Sequence, residues 1–273
     1  MNDRDGFSLI ELLVAMTILA ILGASVTRML VYNSRYVTQL DAMMNARQAA
    51  RAAMHTVGVE LRMISTGGLT AADPKSVTAR IPYAWGMTCN MDAGDRIASL
   101  VPTDSMMFAS ATAGGIGYRG IAGNYTFITG ITVATSTAIQ ACDDADSVRV
   151  VPEGDLIAIT GGDPVPAGSL FYLYELVQYS FAPSVDLPGR TGLWRQAGTG
   201  PNEELIAPFD TAAGFAFLIG SNLAVQDTAP AVLGTLRGVE LRLLGSSVVI
   251  PQGRTDPEVF DLRSTVLFLN AQQ

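Results

Sequence analysis

Lysine is nearly missing from this chain: Lys75 is the single one in 273 residues, and the formal net charge is −8. A protein that tracks a phosphate backbone needs clustered lysine and arginine, so this balance disfavours direct nucleic-acid binding. Histidine is as scarce. With His55 alone, two cysteines and no H-E-x-x-H, the chain offers no metal-ligand cluster and no Ser/His/Asp arrangement for catalysis. Proline is absent from Phe7 to Ser65, which removes the strongest helix breaker from that whole span. Charge is thin as well, and between Phe7 and Thr27 the one ionisable side chain is Glu11.

What remains at the N-terminus is Gly6-Phe7-Ser8-Leu9-Ile10-Glu11 followed by the apolar run Leu12 to Val26. As a helix, Phe7 to Thr27 is about 30 Å long, one hydrocarbon thickness. A carboxylate inside such a segment is costly without a partner, which makes Glu11 a functional candidate. The spacing supplies a partner. A cut after Gly6 would give Phe7 a free amine, with Glu11 one helical turn away. An ammonium at a helix start is disfavoured by the helix dipole, so amine and carboxylate relieve each other. The amine of a neighbouring subunit would serve equally and would set the register of parallel helices.

These residues resemble the class III signal of type IV prepilins and type II secretion pseudopilins. The resemblance covers about twenty residues and implies that a membrane peptidase cuts after Gly6, that Phe7 is N-methylated, and that Glu11 guides insertion into a filament. Two departures stand out. The leader, Met1 to Gly6, sets Asp3 and Asp5 around a lone Arg4 where the family carries more basic residues, and Arg28 stands where major pilins tend to have a kinking proline. The second argues against a major pilin. An ordinary secretory signal cut near Leu22-Gly23-Ala24 would leave Glu11 inside its apolar region unexplained; a plain single-pass anchor is the other simple alternative.

The helical pattern continues past the apolar run. Leu40, Met43, Arg47, Ala50, Met54, Val57, Leu61 and Ile64 recur at three- and four-residue spacing, predicting one continuous helix to Ser65 with a buried seam. Arg47 on that seam reads as a rim residue whose stem covers apolar surface, and His55 as a surface or partly buried histidine. Thr66-Gly67-Gly68 ends the helix. The expected organisation is a leader over 1–6, a transmembrane and assembly helix over 7–30, an amphipathic half over 31–66 and a β-rich globular domain over 67–273.

Cys89 and Cys142 both fall in the part that would be exported, and an even count in an oxidising compartment makes a disulfide the simplest reading. Two separate buried thiols are the alternative. The acidic runs Asp92-Ala93-Gly94-Asp95 and Asp143-Asp144-Ala145-Asp146 lie just after them; they read as solvated turns, since their spacing fits no standard calcium loop. Gly115-Ile116-Gly117-Tyr118-Arg119-Gly120 matches G-x-G-x-x-G, but no amphipathic helix follows, so no dinucleotide cofactor is expected.

From Leu69 to Gly168 the reading is of short strands in long loops, at Val77–Trp85, Ser105–Ala109, Tyr125–Val133 and Ser147–Thr160. After that come a hairpin, Leu170–Phe181 turning through Pro183–Gly192 to Leu193-Trp194-Arg195, and strands at 204–209, 215–219, 236–244 and 264–269. Val239 to Leu243 alternates apolar and charged residues, as in an antiparallel strand with one wet face.

The run Ala49 to Arg62, Leu193-Trp194-Arg195, Gly238 to Leu243 and Thr265 to Asn270 resemble PilW-type minor pilins and GspJ-type pseudopilins. The implied fold is α+β, the type IV pilin fold, with the long helix packed on an antiparallel sheet. The implied function is a non-enzymatic minor pilin of a type IV pilus. Its implied partners are other pilins, the prepilin peptidase and the pilus assembly platform. It would stand in the bacterial inner membrane with a periplasmic domain before it enters the pilus. A type II secretion pseudopilin is the alternative, and a membrane-anchored binding protein or enzyme a more distant one.

Overall fold

The computed structural model describes residues 9–120, 123–143, 154–162 and 165–268. Helix α1, Leu9–Arg62, is a single element of about 81 Å. It is followed by β1 Leu69–Asp73, β2 Ser76–Asp92, β3 Asp95–Leu100, α2 Ser105–Ser110, β4 Gly115–Arg119, β5 Tyr125–Ile128, β6 Thr132–Thr135, α3 Gln140–Asp143 and β7 Leu156–Thr160. The remaining strands are β8 Leu170–Pro183, β9 Thr191–Ala197, β10 Asn202–Phe209, β11 Gly214–Ile219, β12 Ala224–Gln226, β13 Leu236–Ser246 and β14 Val259–Leu267. They form one antiparallel sheet in the order β12-β11-β13-β10-β9-β8-β2-β3-β7-β6, with β1 on β2, β14 on β13, and β4 carrying β5 beside β8. The architecture is α+β and fits the type IV pilin fold.

Two long strands organise the sheet. β2 and β8 pair from Ser76↔Ser180 to Met87↔Leu170, with an offset between Pro82 and Ala84 where the proline cannot donate to the ladder. The start of β2 and the end of β8 belong to the half of the sheet that packs on α1. There Ala50, Val57 and Leu61 of α1, with Ile64 just beyond it, share a core with Val77, Val177, Tyr179, Phe215, Val239 and Leu241. Phe181 meets Phe209 and Phe215 with ring centroids 5.3 and 5.4 Å apart, distances at which tilted aromatic pairs attract.

The other half of the same two strands carries a second core of Ala84, Leu100, Ile116, Ile157, Phe171 and Leu173. Glycines admit close crossing here. A Cβ on Gly117 would stand 2.7–2.9 Å from the Tyr172 ring, so the motif Gly115 to Gly120 opens with β4 lying flat over tyrosines. It is a packing device. Ser65, just beyond the helix, shares a 2.7 Å hydrogen bond with the Tyr172 hydroxyl and ties α1 to this second lobe.

The structure corrects several expectations. The helix closes at Arg62 rather than Ser65, with Met63 N and Ile64 N donating to Glu60 O and Leu61 O in a tightened last turn. Its buried stripe is Ala42, Ala46, Ala49, Ala50, Ala53, Val57 and Leu61; Leu40 and Arg47 are exposed and Met43 and Met54 half-buried. The small side chains win because they let the sheet approach the helix backbone, which leucine and methionine would hold off. Ser105–Ala109 lies in α2 rather than in a strand, following Pro102 at the first turn of a short 3-10 helix. Gly130, at φ 69°, breaks Tyr125–Val133 into β5 and β6. Of Ser147–Thr160, the strand occupies Leu156–Thr160, and residues 144–153 lie outside the described residues. The hairpin β8–β9 and the alternation of Val239, Leu241 and Leu243 into the core are as expected.

Candidate functional site: the N-terminal helix and its seat

From Leu9 through Thr38 every residue of α1 is exposed. The apolar stretch of this helix is nowhere buried inside the protein, and by length and composition the helix is long and apolar enough to cross a membrane. Three hydroxyls in it are satisfied along their own helix: Thr17 donates to Val14 O at 2.8 Å, Ser25 to Ile21 O at 2.9 Å and Thr27 to Gly23 O at 2.8 Å. In a membrane these polar atoms would already be bonded. Glu11 lies in the first turn, where the helix dipole favours a carboxylate. Gly6 and Phe7 lie outside the described residues.

The lower half of the helix is held to the sheet by groups that periodicity does not reveal. Arg195 of β9 reaches the Glu60 carboxylate at 3.5 Å, and its Nε donates to the Tyr179 hydroxyl at 3.3 Å. Burial pushes the Tyr179 phenol up, and the neighbouring Glu60 charge adds to this. Glu175 is also raised, first by burial, with Arg195 opposing and Glu60 reinforcing. Arg195 itself loses from burial, but Glu60 and Tyr179 more than offset that and leave its guanidinium more basic than usual. The sequence signal for this cluster was the charge of Glu60 on a helix facing a strand with Arg195, and no single-chain pattern pairs them.

Arg80 is a second clamp missed at sequence level. Its guanidinium lies 4.3 Å from the Phe127 ring centroid, and Nη1 donates to Gly67 O at 2.8 Å, fixing the turn after the helix. Arg47 stacks 5.3 Å from the centroid of Phe260, a rim contact as expected, and His55 is exposed. Cys89 and Cys142 are joined in a disulfide, with their Cα atoms 4.7 Å apart, seated among Ile97 and Ala141. Asp95 of β3 accepts a 2.8 Å bond from the Thr160 hydroxyl. Among the described residues no group of three or more His, Cys, Asp or Glu is placed to hold a metal ion.

A long helix whose first half is apolar and unburied, seated through an alanine stripe on an antiparallel sheet, is consistent with a type IV prepilin-like protein. Residues 1–27 match the prokaryotic N-terminal methylation motif, the class III signal, which is consistent with the same class. Among curated proteins and among solved structures, nothing matches the chain.

Proposed function

We propose that the protein is a minor pilin. In this reading it is stored in the inner membrane as a single-pass protein with its β-domain in the periplasm, cut after Gly6 by a prepilin peptidase, and methylated on Phe7. It then enters a type IV pilus through the assembly platform by parallel packing of α1 against other pilins. It performs no chemistry of its own. The observation that carries the reading is the conjunction of the methylation motif over 1–27 with an apolar first half of α1 that its own domain leaves unburied. The segment boundaries follow: 1–6 is the leader, 7–30 the membrane and assembly helix, 31–66 the amphipathic half and 67–273 the partner-contacting domain.

The GspJ-type pseudopilin reading draws on the same motif. The length of the 67–168 segment, part of which forms a second core with Phe171 and Leu173 of β8, favours the minor pilin. Intact-mass measurement after co-expression with a prepilin peptidase tests the processing: loss of Met1 to Gly6 is expected, slowed by Gly6→Ala, and a cut near Ala24 would refute it. Recovery of the chain in filaments sheared from the cell surface supports the pilus; retention in the periplasm favours the secretion pseudopilus.

A further inference from the structure

The β13–β14 connection carries an anomaly. Val248, Val249 and Ile250 are consecutive and 46%, 65% and 43% exposed, and a run of exposed aliphatics in a loop calls for a covering partner. The loop is not loose. Ser247 N donates to Glu258 O at 2.8 Å, the Ser247 hydroxyl donates to Val249 O at 2.8 Å, and Arg254 N closes a turn on Pro251 O at 3.0 Å.

Its direction is fixed by two contacts with α1. Gly245, at the base, lies against Ala46 and Ala50, and Gly253, at the tip, is placed so that a Cβ would stand 3.7 Å from the Arg35 guanidinium. The loop therefore descends eleven helical residues towards the N-terminus, about 16 Å. The apolar exterior of α1 meanwhile continues upward past Thr27 through Met29, Leu30 and Val31 to the exposed Tyr32 and Tyr36, interrupted by Arg28, whose long stem lets its charge reach the surface. Tyrosines and arginines at that level are the residues that favour the membrane interface. With the hydrocarbon running over about 30 Å from Leu12 to Tyr32, which leaves Glu11 at its other edge, Arg35 stands about 4.5 Å above the Tyr32 edge, inside the headgroup layer.

We infer that Val248, Val249 and Ile250 form a second membrane contact, dipping into the headgroup and upper acyl region beside Tyr32 and Tyr36 while the subunit waits in the bilayer. The partner is the lipid surface itself. Helix tilt of about 20° towards the loop brings the trio closer still, and two attachment points would fix how the β-domain leans over the membrane. The inference rests on the reading of α1 as membrane-spanning.

The test uses the full chain alone in nanodiscs of phosphatidylethanolamine and phosphatidylglycerol, with a nitroxide on Val249→Cys; the native cysteines are bonded and take no label. Relaxation by oxygen and by a water-soluble nickel complex is compared with labels on Leu19→Cys and on Thr132→Cys at the far edge of the sheet. The expected result is an oxygen-to-nickel ratio at 249 shifted towards that at 19, returned to the value at 132 by adding Ile250→Asp. A ratio at 249 equal to that at 132, with 19 in lipid, overturns the inference and leaves the membrane reading standing. A water-like ratio at 19 overturns both. Spin–spin broadening between labels at 249 would show that a second copy covers the trio, and would also overturn the inference.

Discussion

Gly245 of β13 lies directly on the backbone of α1 at Ala46, so close that a Cβ there would meet the Ala46 carbonyl and stand 3.1 Å from Ala50 N. Backbone on both sides of the contact leaves neither free to yield. Gly245→Val is expected to lower stability by about 1–3 kcal/mol through overpacking. Gly234→Val, where a Cβ would meet nothing within 4 Å, is the matched control and should leave the melting temperature near wild type.

The disulfide makes a prediction that is local. Cys89 and Cys142 are 53 residues apart and anchor α3 to β2 in a small cluster away from the helix. Closing a loop of that length stabilises by about 4 kcal/mol on the chain-entropy account. Cys142→Ser should therefore raise amide exchange in β2 beyond Thr88 and in β3, while the core around Val57, Leu61 and Val239 keeps its protection. Uniform loss across both lobes would show that they unfold as one unit.

Much of this architecture was legible in the sequence because it rests on periodicity. The long helix follows from missing prolines and an unbroken apolar run, and β13 from strict alternation at Val239, Leu241 and Leu243. The buried stripe was placed correctly at Ala50, Val57, Leu61 and Ile64 but misplaced at its start, because hydrophobicity ranks Leu40 and Met43 above alanine, whereas the packing selects Ala42, Ala46 and Ala49 for their size. That preference is set by Gly245, two hundred residues away in sequence. The second lobe was illegible for a related reason: β4 is glycine-rich because Tyr172 and Tyr174 lie beneath it, and glycine carries no strand signal. Of the candidate site, the Cys89–Cys142 pairing was readable from an even cysteine count in the part expected to be exported, while the clamps of Arg195 and Arg80 depend on tertiary pairing.

Glu175 gives the pH dependence a sign. Burial raises its pKa in the folded state above the ordinary glutamate value, with Arg195 opposing and Glu60 adding. The folded protein then holds a proton that the unfolded chain releases, so this group's contribution to stability falls as pH rises from about 4.3 through the folded pKa. Glu175→Gln, which cannot ionise, should flatten that decline in melting temperature on the acid side of neutrality. A slope identical to wild type would mean that the carboxylate is solvated in the folded protein.

The last prediction concerns Glu11, on which processing and assembly make separable demands. In the first turn of α1 the helix dipole favours its carboxylate and offsets part of the cost of holding it at the edge of the lipid. In a filament the situation changes, because each incoming Phe7 amine enters a water-poor bundle and requires a negative partner. Glu11→Val should make the helix more comfortable in lipid and leave cleavage after Gly6 largely intact. Incorporation should fall, since a buried charge deprived of its partner typically costs about 3–5 kcal/mol. The membrane pool would fill as sheared filaments lose the subunit, and quantitative immunoblots of the two fractions measure the ratio. A terminal subunit has one vacant side and escapes part of the penalty, so wild-type incorporation of the cleaved variant would place the protein at the filament tip or remove Glu11 from assembly. Crosslinks from the first turns of α1 separate those outcomes: neighbours on both sides exclude the tip and leave Glu11 without an assembly role.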